Sequence, residues 1–114
     1  RPQPEVMAMK ENYFLVVRFW VAPQAEAQLV GWLDGGHMAE VARQPGFLWG
    51  RRIRLEKNPE GWSGYAMIYG IESREAFDLY ENNLPLKSKF AKQRAPFEKH
   101  MKIERFAGEV VAHA

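Results

Sequence analysis

Proton-transfer chemistry at neutral pH points first to one of the three histidines in the sequence. The helical spacing of Leu33, His37 and Val41 places His37 alone on an apolar helical stripe. An imidazole with an ordinary pKa of about 6.5 both gives and takes a proton near pH 7. His37 is therefore the candidate catalytic residue. Alternatively, His37 has a structural role. It would then form a hydrogen bond with a backbone carbonyl that has no helical partner, because Gly35-Gly36 interrupts the helix.

Aromatic and basic side chains supply the rest of a candidate substrate site. Tyr65 and Tyr69 share one strand parity, so both hydroxyls point to one side and suit a phenolic or enolic oxygen. Plain core packing is the alternative for both. Arg51 would neutralise a carboxylate or enolate, or else extend to the rim of the fold. The predicted aromatic walls of the site are Trp32, Trp49 and Tyr13.

The residue types that hold metals and cofactors are sparse. The chain has no cysteine, which excludes thiolate ligands and a cysteine nucleophile. Its histidines are far apart and lack a metal-binding spacing. The glycines form neither a dinucleotide-binding nor a phosphate-binding pattern. The sequence therefore predicts chemistry without a metal or a cofactor.

Length and composition are typical of one globular domain. The 114 residues are 46% hydrophobic and 26% charged, and the formal net charge is only +2. We predict a flexible leader over residues 1–11 and a single domain over residues 12–114. The longest apolar runs, such as Phe14 to Val17, are far shorter than the roughly 20 residues of a membrane helix. We expect a cytoplasmic protein with neither a membrane nor a nucleic-acid partner.

The elements that must position these residues follow the order βαββαβ. A first helix begins at Pro23, is bent or broken at Gly35-Gly36, and ends before Gln44-Pro45-Gly46. A second helix begins after Ser73 and continues in two pieces toward Pro96. This order predicts an α+β, ferredoxin-like fold with a four-stranded antiparallel sheet and helices on one face. The predicted strands are Tyr13–Val21, Phe47–Glu56, Trp62–Ile71 and Lys102–Val111.

Strand parity divides the sheet into two faces. The bulkier stripe is assigned to the side beneath the helices, and it includes Tyr13, Phe47, Trp49, Arg51, Tyr65 and Tyr69. The opposite stripe includes Phe14, Val16 and Trp20 and is too apolar to face water. We therefore predict a homodimer joined through the open sheet faces.

Several segments resemble a known group of proteins. Trp32 to Val41, followed by Gln44-Pro45-Gly46-Phe47, resembles the helix-to-strand signature of EthD-type proteins, as do Gly70-Ile71-Glu72-Ser73 and Phe106-Ala107-Gly108-Glu109. The resemblance extends from about Tyr13 to Glu109. It implies the dimeric α+β barrel superfamily, which includes muconolactone isomerases, cofactor-free quinone-forming monooxygenases and polyketide cyclases. It also implies a small-molecule cavity between sheet and helices, with His37 at the position of a cavity histidine.

These observations favour a cofactor-independent enzyme. The predicted reaction is isomerisation, cyclisation or elimination on an aromatic, lactone or enol metabolite, with His37 shuttling the proton. One alternative is a cofactor-free monooxygenase of phenolic substrates, and another is a non-catalytic small-molecule binding protein. The least favoured alternative is an RRM-like RNA-binding module, which has the same element order. The segment Gly64 to Ile68 partly resembles the third-strand motif of that module. That module needs Tyr65 on the open face, and parity assigns Tyr65 to the covered one.

Overall fold

The computed structural model describes residues 10–56 and 61–114 of the chain. The sequence of Lys57 to Gly61 predicts a hairpin turn; residues 57–60 of this turn and most of the predicted leader lie outside the described residues. The strands are β1 (Tyr13–Val21), β2 (Phe47–Arg54), β3 (Ser63–Ile71) and β4 (Met101–Glu109). The helices are α1 (Pro23–Trp32), α2 (Met38–Ala42), α3 (Arg74–Glu81) and α4 (Leu84–Arg94); a π-helical turn at Leu33–His37 joins α1 to α2, and a 3-10 turn at Ala95–His100 follows α4.

The four strands form one antiparallel sheet in the order β2-β3-β1-β4. The two helical connections pack on the same face of this sheet and enclose the hydrophobic core against it. The predicted α+β, ferredoxin-like architecture is confirmed. Strand boundaries differ from the predicted ones by one or two residues, which is the usual uncertainty at the end of an element.

The alternation of side chains along β1 and β3 sets the covered face of the sheet. Every second residue of β1, from Tyr13 to Val21, is buried, and the residues between them are half-buried. On β3 the pairing register places Tyr65 and Tyr69 on this same side, opposite Phe19 and Leu15. Tyr65 is 5% exposed and Tyr69 is 2% exposed. The prediction that both tyrosines lie beneath the helices is confirmed.

A β-bulge at the start of β2 reverses the predicted parity of that strand. Phe47 pairs with Ile71, but Trp49, rather than Leu48, pairs with Gly70. One extra residue in a strand moves every later side chain to the other face of the sheet. Trp49 and Arg51 therefore lie on the open face, and their predicted place beneath the helices is wrong. Trp49 contacts Phe14 of the open face edge-to-face, at 5.7 Å between ring centroids.

Gly70 accommodates the bulged strand because it has no side chain. A Cβ atom at this position would lie 2.4 Å from Cε2 of Trp49. We expect Gly70→Ala to destabilise the protein by about 1–3 kcal/mol, since the indole must move out of its packed position. Urea unfolding of Gly70→Ala, Trp49→Ala and the double variant measures this directly. The cost of Gly70→Ala should largely vanish in the Trp49→Ala background, and an equal cost in both backgrounds would contradict the contact.

The first helical connection is broken where the sequence predicts it. Leu33–His37 is a π-helical turn, and Gly36 has a φ of 151°, a conformation that residues with a side chain rarely adopt. The second connection also divides as predicted: Ser73 caps α3 by accepting a hydrogen bond from the Ala76 amide at 3.1 Å, and α4 follows as a separate helix. Among the residues described, no helix has the length and apolar character needed to cross a membrane.

Candidate active site between sheet and helices

A cavity of about 330 Å³ lies between the covered face of the sheet and the helices. Its volume is at the low end of the range for pockets that bind small molecules. The sheet contributes an apolar floor that includes Leu15, Val17, Phe19 and Met67. The helical side contributes Leu29, Trp32, Leu33, His37, Val41 and Phe90.

The π-helical turn presents His37 to this cavity between two aromatic rings. The Trp32 indole stacks on the imidazole with 4.1 Å between ring centroids, and the Phe90 ring meets it edge-on at 4.5 Å. The Nδ1 atom is buried and has no hydrogen-bond partner among the described residues. A buried polar atom without a partner is unfavourable by about 1–3 kcal/mol, and such atoms concentrate at functional sites.

Burial keeps the His37 imidazole neutral. The loss of solvation lowers its pKa to about 4, and the positive charges of Arg94 and Lys89 act in the same direction. The negative charge of Glu40 opposes them, although Glu40 also forms an ion pair with Lys89. At pH 7 the neutral ring therefore has a nitrogen lone pair available as a proton acceptor.

This depressed pKa predicts an acid-sensitive fold. In the unfolded chain His37 has a pKa of about 6.5, so between pH 6.5 and 4 its imidazole is protonated when unfolded and neutral when folded. The free energy of unfolding therefore falls as the pH drops from about 6.5 toward 4. We expect His37 to account for a loss of about 2 kcal/mol between pH 7 and pH 5. Urea unfolding at both pH values should show a correspondingly smaller loss in His37→Phe. An identical pH dependence in both proteins would contradict the buried, neutral assignment.

Tyr69, like His37, is a predicted site residue with a polar group that lines the cavity. Within the described part of the chain, its hydroxyl donates one hydrogen bond, to the Met67 sulfur at 3.8 Å, which is a weak acceptor. Burial raises the pKa of the Tyr69 phenol, so the hydroxyl stays protonated and can donate a hydrogen bond to a ligand oxygen. His37, Trp32 and Tyr69 are thus the predicted site residues that the fold brings together.

The other four predicted site residues do not line the cavity. Tyr65 is beneath the helices, but its hydroxyl donates to Glu26 at 2.5 Å and its ring stacks on Phe19. Tyr13 packs against Phe77 at 5.2 Å between ring centroids. The bulge places the remaining two, Arg51 and Trp49, on the open face, where the Arg51 guanidinium lies 5.3 Å from the Trp49 ring.

A group of charged residues at one end of the cavity was missed by the sequence analysis. The group consists of Glu81 at the end of α3, Lys87 and Arg94 on α4, and Arg105 on β4. We call it the basic rim. The spacing of Lys87, Phe90 and Arg94 places all three on one helical face, and Arg105 has the inward parity of β4. These spacings indicate that the residues share one side of their helix or strand. They do not show that the residues meet at the same cavity.

Fold and site together define a class: a ferredoxin-like α+β protein with a cavity between sheet and helices, lined by a neutral histidine. Several solved structures share this fold. The heme-degrading protein MhuD of Mycobacterium tuberculosis, solved with two hemes in its active site, has a TM-score of 0.65 and 22% identity; the match covers 90% of this chain and 98% of that one. No protein-family profile matches the sequence, and no curated protein is significantly similar to it.

Two other similar structures connect the fold to the predicted resemblance. An EthD family protein of Bacillus halodurans has a TM-score of 0.60 and 13% identity, with 87% of this chain and 99% of that chain covered. The cofactor-independent oxygenase SnoaB of Streptomyces nogalater has a TM-score of 0.60 and 18% identity, with 90% and 96% covered. Further matches include proteins described as dimeric and ferredoxin-like, from uncultured marine organisms. The resemblance to EthD-type and dimeric α+β barrel proteins is confirmed at the level of the fold.

Proposed function

We propose that this chain is a small-molecule enzyme that performs cofactor-independent acid–base chemistry in the cavity between sheet and helices. The substrate is an aromatic, lactone or enol metabolite, and the reaction is an isomerisation, a cyclisation or an elimination. The observation that carries this proposal is His37, a neutral histidine that lines the cavity and stacks on Trp32. Histidine is the commonest general acid–base group in enzymes.

Each side chain has a separate task in this mechanism. The substrate ring lies between the apolar floor of the sheet and the aromatic rings of Trp32 and Phe90. Neutral His37 removes a proton from a hydroxyl or from a carbon next to a carbonyl, and returns it at another position. The Tyr69 hydroxyl donates a hydrogen bond to the substrate oxygen on which negative charge develops. The apolar and aromatic lining around His37 makes these few polar contacts stronger than in solution.

A cofactor-free monooxygenase is the second candidate, and it is favoured by the similarity in fold to the oxygenase SnoaB. In that reaction His37 deprotonates a phenol or an acidic CH₂ group, and the resulting carbanion or phenolate reacts with O₂. When a CH₂ group becomes a carbonyl, the substrate supplies all four electrons, one oxygen atom enters the product and the other leaves as water. No external reductant is needed.

The cavity is small for a haem group. The cavity volume fits two or three fused rings better than a tetrapyrrole. We therefore assign haem no part in the reaction.

We also propose that two copies of the chain associate through the open sheet face. Gly64 and Gly70 lie directly beneath the rings of Trp20 and Trp49, so these aromatic side chains lie across the sheet. A surface of this kind is unfavourable in water and becomes stable when about 800 Å² of each copy is buried. The apolar residues of this face are Phe14, Val16, Trp20, Trp49, Ile53, Ala66, Ile68 and Phe106.

Two ketone probes test the proposed reaction. Purified protein is incubated with 2-tetralone in D₂O and with anthrone in air, and products are followed by mass spectrometry against buffer alone. Faster deuterium uptake by 2-tetralone supports acid–base catalysis, whereas conversion of anthrone with a mass gain of one oxygen minus two hydrogens supports the monooxygenase. Binding of both probes without either reaction would overturn the enzymatic proposal in favour of a carrier protein.

A further inference from the structure

The basic rim has more positive charge than its one carboxylate can neutralise. Both oxygens of Glu81 are occupied: Oε1 accepts from Lys87 Nζ at 2.9 Å and from Arg105 at 2.6 Å, and Oε2 accepts from Arg105 at 2.7 Å. These donors lower the pKa of the Glu81 carboxyl to about 2, so it is ionised throughout the neutral range. Three cations around one anion leave the rim with two uncompensated positive charges.

Arg94 is the member of the rim that Glu81 does not reach. Its side chain is half-buried and lines the cavity. Within residues 10–56 and 61–114, none of the observed hydrogen bonds or ion pairs involves the Arg94 guanidinium. A half-buried guanidinium without a counter-ion is unfavourable, because it has lost hydration and gained no partner.

We propose that the basic rim binds the carboxylate of the substrate, with Arg94 as the principal anchor, so that the enzyme acts on organic acids with a small ring system. This inference rests on the proposed function of the cavity and specifies its substrate class. The planar guanidinium of Arg94 matches a carboxylate through two parallel hydrogen bonds. The ring of the acid then lies in the apolar part of the cavity near His37.

Anion binding at Arg94 would also raise the pKa of His37. The charged groups that act on His37 are Glu40 on α2, and Lys89 and Arg94 on α4. A bound carboxylate offsets the positive charge of Arg94, which is one of the causes that hold the His37 pKa low. The substrate acid therefore makes His37 a stronger base when it binds.

A pair of isosteric probes tests the proposal without requiring turnover. Calorimetric titration compares 2-naphthoate with its neutral analogue 2-naphthamide, using the intact protein and Arg94→Gln. We expect the naphthoate to bind the unchanged protein at least tenfold more tightly than the amide, and Arg94→Gln to bring the ratio close to one. Arg74→Gln is the matched control, since Arg74 is exposed at the start of α3, and it should leave the ratio unchanged.

The possible results separate this inference from the function on which it rests. Equal binding of both probes by the unchanged protein, or an unaltered ratio in folded Arg94→Gln, overturns the carboxylate site and leaves the cavity proposal standing. Failure of both probes to bind overturns the cavity proposal as well. NMR titration of the imidazole gives a second readout: naphthoate should raise the His37 pKa in the unchanged protein and have no such effect in Arg94→Gln.

Discussion

Replacing His37 with Phe should reduce the turnover number by at least about 100-fold while leaving the protein folded. General acid–base groups contribute roughly 100- to 10,000-fold to a reaction rate, and no second histidine lines the cavity among the described residues. Phenylalanine preserves the packing between Trp32 and Phe90 and removes only the proton acceptor. The rate of deuterium uptake by 2-tetralone, or of oxygen uptake with anthrone, measures the change.

The same substitution at His100 is the matched control for this experiment. His100 lies in the 3-10 turn before β4, outside the cavity lining, so His100→Phe should retain full activity. Circular dichroism and thermal unfolding of both variants establish that the fold is intact. If folded His37→Phe were as active as the unchanged protein, His37 would not be the catalytic base.

Replacing Phe106 with Asp should convert the proposed dimer to a monomer. Phe106 lies on the open face of β4 and is 53% exposed in a single chain. A carboxylate at this position would be buried without a partner if two open faces met, and a penalty of several kcal/mol follows. We expect the dissociation constant of the dimer to rise by more than about 100-fold. Sedimentation equilibrium over a range of protein concentrations measures it.

Leu79 provides the control for this prediction. It is an apolar residue with 63% exposure, but it lies on α3, which packs on the covered face of the sheet. Leu79→Asp should therefore leave the association unchanged. A dimer that survives Phe106→Asp and dissociates with Leu79→Asp would place the interface on the helical side of the molecule.

The sequence predicted the sheet and the position of the histidine because local signals determine both. The strict alternation of β1, the capping Ser73 and the paired glycines before His37 each act within a few residues of the chain. Their consequences did not depend on distant parts of the fold. The placement of Tyr65 and Tyr69 followed in the same way, because β3 keeps its two-residue period from end to end.

Two features of the site depend on tertiary structure, and the sequence did not reveal them. The bulge between Phe47 and Trp49 places an indole over Gly70, a contact between two strands, and it removes Arg51 from the site. We propose the basic rim for the cationic role instead, and its residues come from α3, α4 and β4. No single helix or strand contains enough of these charges to indicate where they would meet.

A crystal structure of the protein with 2-naphthol would test the central claim most directly. We predict electron density for the ring system between the sheet and the helices, with its hydroxyl within hydrogen-bond distance of His37 or Tyr69. Density for the ligand only on the open sheet face or elsewhere on the surface, with the cavity filled by water, would contradict the assignment.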